Sequence, residues 1–139
     1  MLGGVEVADG ISPIAHSDGD VVLHALVDAL LGALGEGDIG ELFPNSDDRW
    51  KSAASRVFVD GAMDRVRAKG FAVVNVDVSI LAERPKLKPF KSKMVQSISA
   101  LVAAPVNVKA GTNEDCDAVG HGEAVAAHAV VLLRRTVST

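Results

Sequence analysis

Tyrosine is absent from the 139 residues, tryptophan occurs once and phenylalanine four times. Aromatic packing therefore cannot dominate, and the core must be aliphatic, built from Val, Leu, Ile and Ala. A single cysteine, Cys116, excludes an internal disulfide and offers nothing to a Cys-rich metal site. That usage fits a reducing compartment. No stretch approaches a membrane span; the apolar run at residues 129–133, with alanines before it, suits a buried strand or helix. Excess positive charge is missing too. Fourteen Lys and Arg face eighteen Asp and Glu, a formal net charge of -4, which argues against bulk electrostatic binding to nucleic acid or anionic membrane. The opening "MLGGVEV" has neither a basic n-region nor an Arg/Ser-rich transit composition. Internal repeats and low-complexity tracts are also lacking.

What is present is apolar substance: 48% hydrophobic residues and a mean hydropathy of +0.25. One domain of this length can bury a core, disorder is disfavoured, and part of the surface is expected to be apolar. "MLGGVEVADGISP" reads as a short strand broken by Gly and Pro, then a loop. Over residues 20–34, Val22, Leu26, Ala29, Leu30 and Ala33 recur at helical spacing, with Ser17 or Asp18 as cap and Gly35 or Gly37 as stop. "GDIGELFPNSDDRWKS" reads as a turn-rich loop. A second helix is predicted over residues 53–69, with Val59, Met63 and Val66 on one stripe and Gly70 ending it. "FAVVNVDVSILAE" alternates Val74, Val76 and Val78 against Asn75, Asp77 and Ser79, as a half-buried strand does. A third helix should place Phe90, Met94, Ile98 and Leu101 on one face, and "PVNVKAG" should be a short strand. The tail "EAVAAHAVVLL" suits a helix or a buried strand, and its valines favour the strand. Alternating strands and helices predict an α/β sandwich, a mixed sheet covered by helices.

Several constellations could carry chemistry. Asp20, His24 and Asp28 lie at i, i+4 and i+8, so they line one stripe roughly opposite Leu26 and Ala33. A carboxylate one turn away can orient a ligating imidazole. A solvated face with His–Asp pairs would have the same spacing. His16 and Ser17, just before this helix, suit an anion such as phosphate, or are a plain cap. Arg84, Lys86, Lys88, Lys91 and Lys93 put five of the fourteen basic residues within ten positions, stiffened by two prolines. A compact anion such as a nucleotide diphosphate fits that loop better than nucleic acid, for which only Phe90 could stack; a solvated charged loop is the alternative. Thr112 as a hydroxyl donor and Glu114 as a hard oxygen ligand follow a strand end and suit phosphate with Mg²⁺. Gly120-His121-Gly122 lacks the third glycine of a dinucleotide loop, and there is no P-loop. These residues describe a phosphate-handling, metal-assisted α/β domain.

Taken together, "AHSDGDVVLHALVDALLGALGEGDIGELFPNSD", "NVDVSILAERPKLKPF" and "VNVKAGTNED" resemble the 2-C-methyl-D-erythritol 2,4-cyclodiphosphate synthase family of the methylerythritol phosphate route to isoprenoids. The likeness runs over nearly the whole chain. It implies one synthase domain over residues 1–139 and a homotrimer with active sites between subunits. The implied reaction converts 4-diphosphocytidyl-2-C-methyl-D-erythritol 2-phosphate to the cyclic diphosphate and CMP. By the same resemblance His24 is a zinc ligand, and Glu114 sits with Mg²⁺ or Mn²⁺. His16 and Thr112 stabilise the transition state, and Ser17 holds phosphate. Asp38, Ile39 and Gly40 contact the erythritol part, and Asn45 and Asp47 match an acidic turn. Ala82, Pro85, Lys86 and Leu87 receive the cytidine diphosphate end from the adjacent subunit. An isoprenoid diphosphate in the trimer channel is a further implied partner; nucleic acid and membrane are not.

The chain opens at what corresponds to the family's second strand, without the preceding strand and its Asp-x-His zinc ligands. As written it is therefore expected to bind zinc poorly and turn over little. Asn45 stands where a carboxylate is usual, Gly111 and Asn113 flank Thr112 where hydroxyl residues are common, and His121 replaces an arginine facing the trimer axis. "AVAAHAVVLL" and "DRWKSAASRVF" look closer to plastid-type members, so a plastid stroma is expected, or else a bacterial cytoplasm. Two rival readings are a non-catalytic trimeric scaffold binding a cytidine nucleotide or isoprenoid diphosphate, and a metal-dependent nucleotide hydrolase using water.

Overall fold

The structure, a computed structural model, describes residues 1–7, 19–44, 46–50, 53–83, 86–112, 114, 117–120 and 124–136. Helix α1 spans Val21–Leu34. Its cap is Asp20, whose side chain accepts from the Leu23 amide, not Ser17 or Asp18, which lie outside the described residues. Gly35 ends it at φ 70°, a left-handed conformation that glycine adopts without steric cost. The predicted stripe is too narrow. Leu23, Val27 and Leu31 are buried alongside Val22, Leu26 and Leu30, whereas Ala33 is exposed. The helix packs on one side against strand β3 (Ala126–Arg135) and on another against helix α3 (Ser55–Ala68), so a wide arc leaves water.

Two turns of helix occupy the segment read as loop: α2 at Ile39–Leu42 and a 3₁₀ turn at Asp48–Trp50. In α3, Val59, Met63 and Val66 are buried as predicted, joined by Phe58 and Ala62. Strand β1, Phe71–Leu81, carries Val73, Val76, Val78 and Ile80 into the core. The simple alternation fails at Val74, which is exposed. A bulge between Val73 and Asn75 adds a residue, and the side chains before it fall on the opposite parity. Helix α4, Lys91–Val102, buries Met94 and Ile98, but its third core residue is Val102, and Leu101 is only half-buried.

Strand β2 is Val106–Gly111. Among the described residues the sheet has three strands in the order β2-β1-β3, with β1 parallel to β2 and antiparallel to β3. The sheet is mixed and helix-covered, as predicted, and the tail is indeed a strand. The opening segment does not join the sheet. Leu2 and Val5 form an isolated bridge, and the amides of Gly3 and Gly4 donate to the two carboxylate oxygens of Asp20 at 2.9 and 2.8 Å. Helices α1, α3 and α4 press on one face of the sheet, with Ala127, Ala129, Val131 and Leu133 of β3 turned toward them. The other face exposes Val130 and Leu132, 70% and 56% accessible.

Candidate functional site

Two clefts gather some of the described candidate residues. The first lies where β1 and β2 end together. Their parallel pairing extends past the strands, since the Ala82 amide donates to the Gly111 carbonyl at 3.0 Å. That bond places the loop after β1 beside the residues after β2. The resulting cleft, about 540 Å³, is lined by Ala82, Lys86 and Leu87 together with Thr112. Lys88 and Lys91 also line it, and Glu83 is its acidic member. Ala82 and Leu87 are buried, while Lys86 and Thr112 are exposed. Lys91 opens α4, so the positive end of that helix dipole adds to the lysines. Pro85 lies outside the described residues.

The second cleft, about 500 Å³, runs between α1 and β3 and is lined by His24, Asp28 and His128 among alanines. His24 is half-buried, and its ring stands 5.9 Å from that of Phe58. Its Nε2 shares a hydrogen bond at 3.1 Å with the hydroxyl of Ser55, a residue with no accessible surface. The imidazole therefore faces neither bulk solvent nor a purely aliphatic core. Asp20 and Asp28 do not match the predicted stripe of imidazole partners. Asp20 is fully buried, holding the Gly3, Gly4 and Leu23 amides, and Asp28 accepts from the Ile39 amide at 2.8 Å. One helical spacing thus spans three environments.

The remaining candidates are dispersed. Asp38 caps α2, accepting from the Glu41 amide at 2.9 Å, with Ile39 and Gly40 as its first residues. Asp47 is committed to Arg49, whose guanidinium reaches it at 2.7 Å; that hydrogen bond, reinforced by the Arg49 amide, holds the carboxyl below its ordinary range. Glu114 is exposed, at φ 50°. His16, Ser17 and Asn45 lie outside the described residues. Among the described residues no three His, Cys, Asp or Glu side chains come together to hold a metal ion. His24 and Glu114 belong to different parts of the chain, and the described residues alone do not fit a complete zinc or magnesium site. The two clefts share no lining residue.

Sequence reasoning missed the setting of His24. Ser55 and the aromatic cluster of Phe43, Trp50 and Phe58, with Phe43 4.9 Å from each of the other two rings, come from three segments. Only the few aromatics themselves signalled that cluster. His128 was legible as part of a strand and gave no sign of which cleft it would line.

Known proteins resemble this chain over nearly all of it. A 2-C-methyl-D-erythritol 2,4-cyclodiphosphate synthase of Xanthomonas oryzae pv. oryzae is 50% identical over 138 residues, covering 97% of this chain and 85% of its own. The synthase of the same name from Anaplasma phagocytophilum is 48% identical over 135 residues, covering 95% and 80%. A solved structure of 2C-methyl-D-erythritol-2,4-cyclodiphosphate synthase in a CDP-bound form superposes with a TM-score of 0.86 at 41% identity, covering 96% of this chain and 89% of that one. The YgbB family model matches residues 1–134, and the chain belongs to that family.

Proposed function

We infer that this protein is an enzyme of isoprenoid biosynthesis, a lyase-type 2-C-methyl-D-erythritol 2,4-cyclodiphosphate synthase. It converts 4-diphosphocytidyl-2-C-methyl-D-erythritol 2-phosphate to 2-C-methyl-D-erythritol 2,4-cyclodiphosphate and CMP. The observation that carries this reading is near full-length identity, 50% over 138 residues, to a synthase of that name. A non-catalytic scaffold is not favoured, because the relatives matched over the same length are named as the enzyme.

An oxygen of the substrate's own 2-phosphate attacks the β-phosphorus. The bond from that phosphorus to the bridging oxygen breaks, and CMP leaves with the electron pair. No protein nucleophile is required, so catalysis reduces to alignment and charge neutralisation. Lys86, with Lys88 and Lys91, neutralises the cytidine diphosphate end, and Thr112 donates its hydroxyl to a phosphate oxygen that gains charge. His16 assists in that role and Ser17 holds phosphate. Residues 38–40 seat the erythritol part beside the turn of Asn45 and Asp47. A divalent metal, zinc at His24 and magnesium or manganese at Glu114, would supply further neutralisation when bound.

The active form is a homotrimer acting as a single domain per chain, in which the Lys86–Thr112 cleft of one subunit meets the His24 cleft of the next. Two observations support this: the clefts share no lining residue within one chain, and the outer face of the sheet leaves Val130 and Leu132 exposed. A plastid stroma as its location is supported only by the likeness of two sequence runs.

The test is incubation of the protein and substrate with Zn²⁺ and Mg²⁺, followed by ³¹P NMR. CMP and a cyclic diphosphate are expected. Linear products would establish hydrolysis instead, and no CMP with CDP binding intact would establish the scaffold. Lys86→Ala should weaken CDP binding roughly tenfold and flatten its salt dependence.

A further inference from the structure

We propose that Asp28 is a positioning residue for substrate binding, through the hydrogen bond in which its Oδ1 accepts from the Ile39 amide at 2.8 Å. The first amides of any helix lack partners within it. In the four-residue helix α2, two of these are taken by carboxylates: Glu41 by Asp38 Oδ1 at 2.9 Å, within the segment, and Ile39 by Asp28, from α1. The Asp28 bond ties α2 to the rigid first helix. Burial holds it only in part: no residue of α2 is fully buried, Ile39 and Leu42 pack partly against the core, and the chain reaches it through Gly35, Glu36 and Gly37. Asp28 belongs to α1, a helix of 14 residues with six buried side chains, so its own position is fixed. The spacing that set Asp28 one turn from His24 also places it to hold the start of α2.

The inference rests on the reading that residues 38–40 contact the erythritol part of the substrate. Losing the tie leaves those residues in the competent position for a smaller fraction of the time, and apparent affinity falls by that fraction. Asp28→Ala removes the acceptor. Asp28→Asn keeps an acceptor oxygen and removes the charge, so it separates positioning from electrostatics.

Amide hydrogen exchange at Ile39 and steady-state kinetics are measured on wild type and both variants. In Asp28→Ala, Ile39 protection is expected to fall about tenfold and KM to rise severalfold with kcat changed less, as for one lost hydrogen bond to a charged acceptor. Asp28→Asn should restore both to within about twofold of wild type. Unchanged Ile39 protection in Asp28→Ala overturns the proposal. So does lost protection with an unmoved KM, or an Asn variant that protects Ile39 yet matches Ala in KM. If wild type itself releases no CMP, the reaction reading has failed, and the exchange measurement still decides whether Asp28 holds α2.

Discussion

The imidazole of His24 rests on the hydroxyl of Ser55, 31 positions along the chain, with Nε2 and Oγ 3.1 Å apart. Ser55 begins α3 and His24 sits on the second turn of α1, so packing of the two helices brings the pair together. The bond restricts the ring's rotation and commits Nε2.

Ser55→Ala should therefore loosen the ring while leaving the fold intact. The expected cost is about 1 kcal/mol, a drop of a few degrees in Tm. CMP release should fall more than that loss explains, roughly tenfold. Melting by circular dichroism and CMP release settle it; unchanged release means His24 needs no such support.

Gly61 offers a reversal of sign. A glycine inside a helix ordinarily costs about 1 kcal/mol relative to alanine, so sequence alone predicts that Gly61→Ala stabilises α3. In the structure a Cβ at position 61 would stand 2.6 Å from the Phe43 ring. Phe43 is buried and locked against Trp50 and Phe58, so it cannot yield cheaply. Urea denaturation should show Gly61→Ala destabilised by about 1–2 kcal/mol.

The open sheet face tests assembly. Val130 and Leu132 are the most exposed large hydrophobic residues described. Leu132→Glu should abolish trimer formation, read by light scattering, and CMP release with it, while the far-UV spectrum stays native. A monomeric wild type, or a variant that remains trimeric, removes this face from the interface.

Acid should act on Asp77, which accepts from Lys109 at 2.6 Å and from Asn107 at 3.0 Å. The ammonium hydrogen bond, then the amide, hold its carboxyl below the ordinary range. A folded-state value lower than the unfolded one stabilises the fold above the unfolded value, and that contribution is lost as pH falls through the folded one. Asp77→Asn should melt below wild type at neutral pH by a small margin, as for an exposed pair. The two melting temperatures should converge once pH drops below the folded value. A constant gap from pH 7 to pH 2 contradicts the pairing.

Local pattern made most of the architecture legible. Val59, Met63 and Val66 at helical spacing, and the β-branched run of β1, need only their own neighbours to declare a period. The bulge at Val74 was not legible, because it depends on how β3 pairs with β1. Nor was the breadth of the α1 core face, which follows from packing against two elements at once. Nor was the meeting of the basic loop with Thr112, which follows from the parallel pairing that continues to Ala82 and Gly111.

By itself the sequence determined a largely aliphatic core, three long helices and the three described strands of the sheet. Tertiary structure decided what each carboxylate does. Asp20 and Asp28 lie on either side of His24 at the same spacing, yet one is sealed beneath the Gly3 and Gly4 amides and the other holds Ile39. The reason is physical. A helical period fixes the direction in which a side chain leaves its own axis, but the donors that reach it come from segments brought there by burial of apolar surface elsewhere.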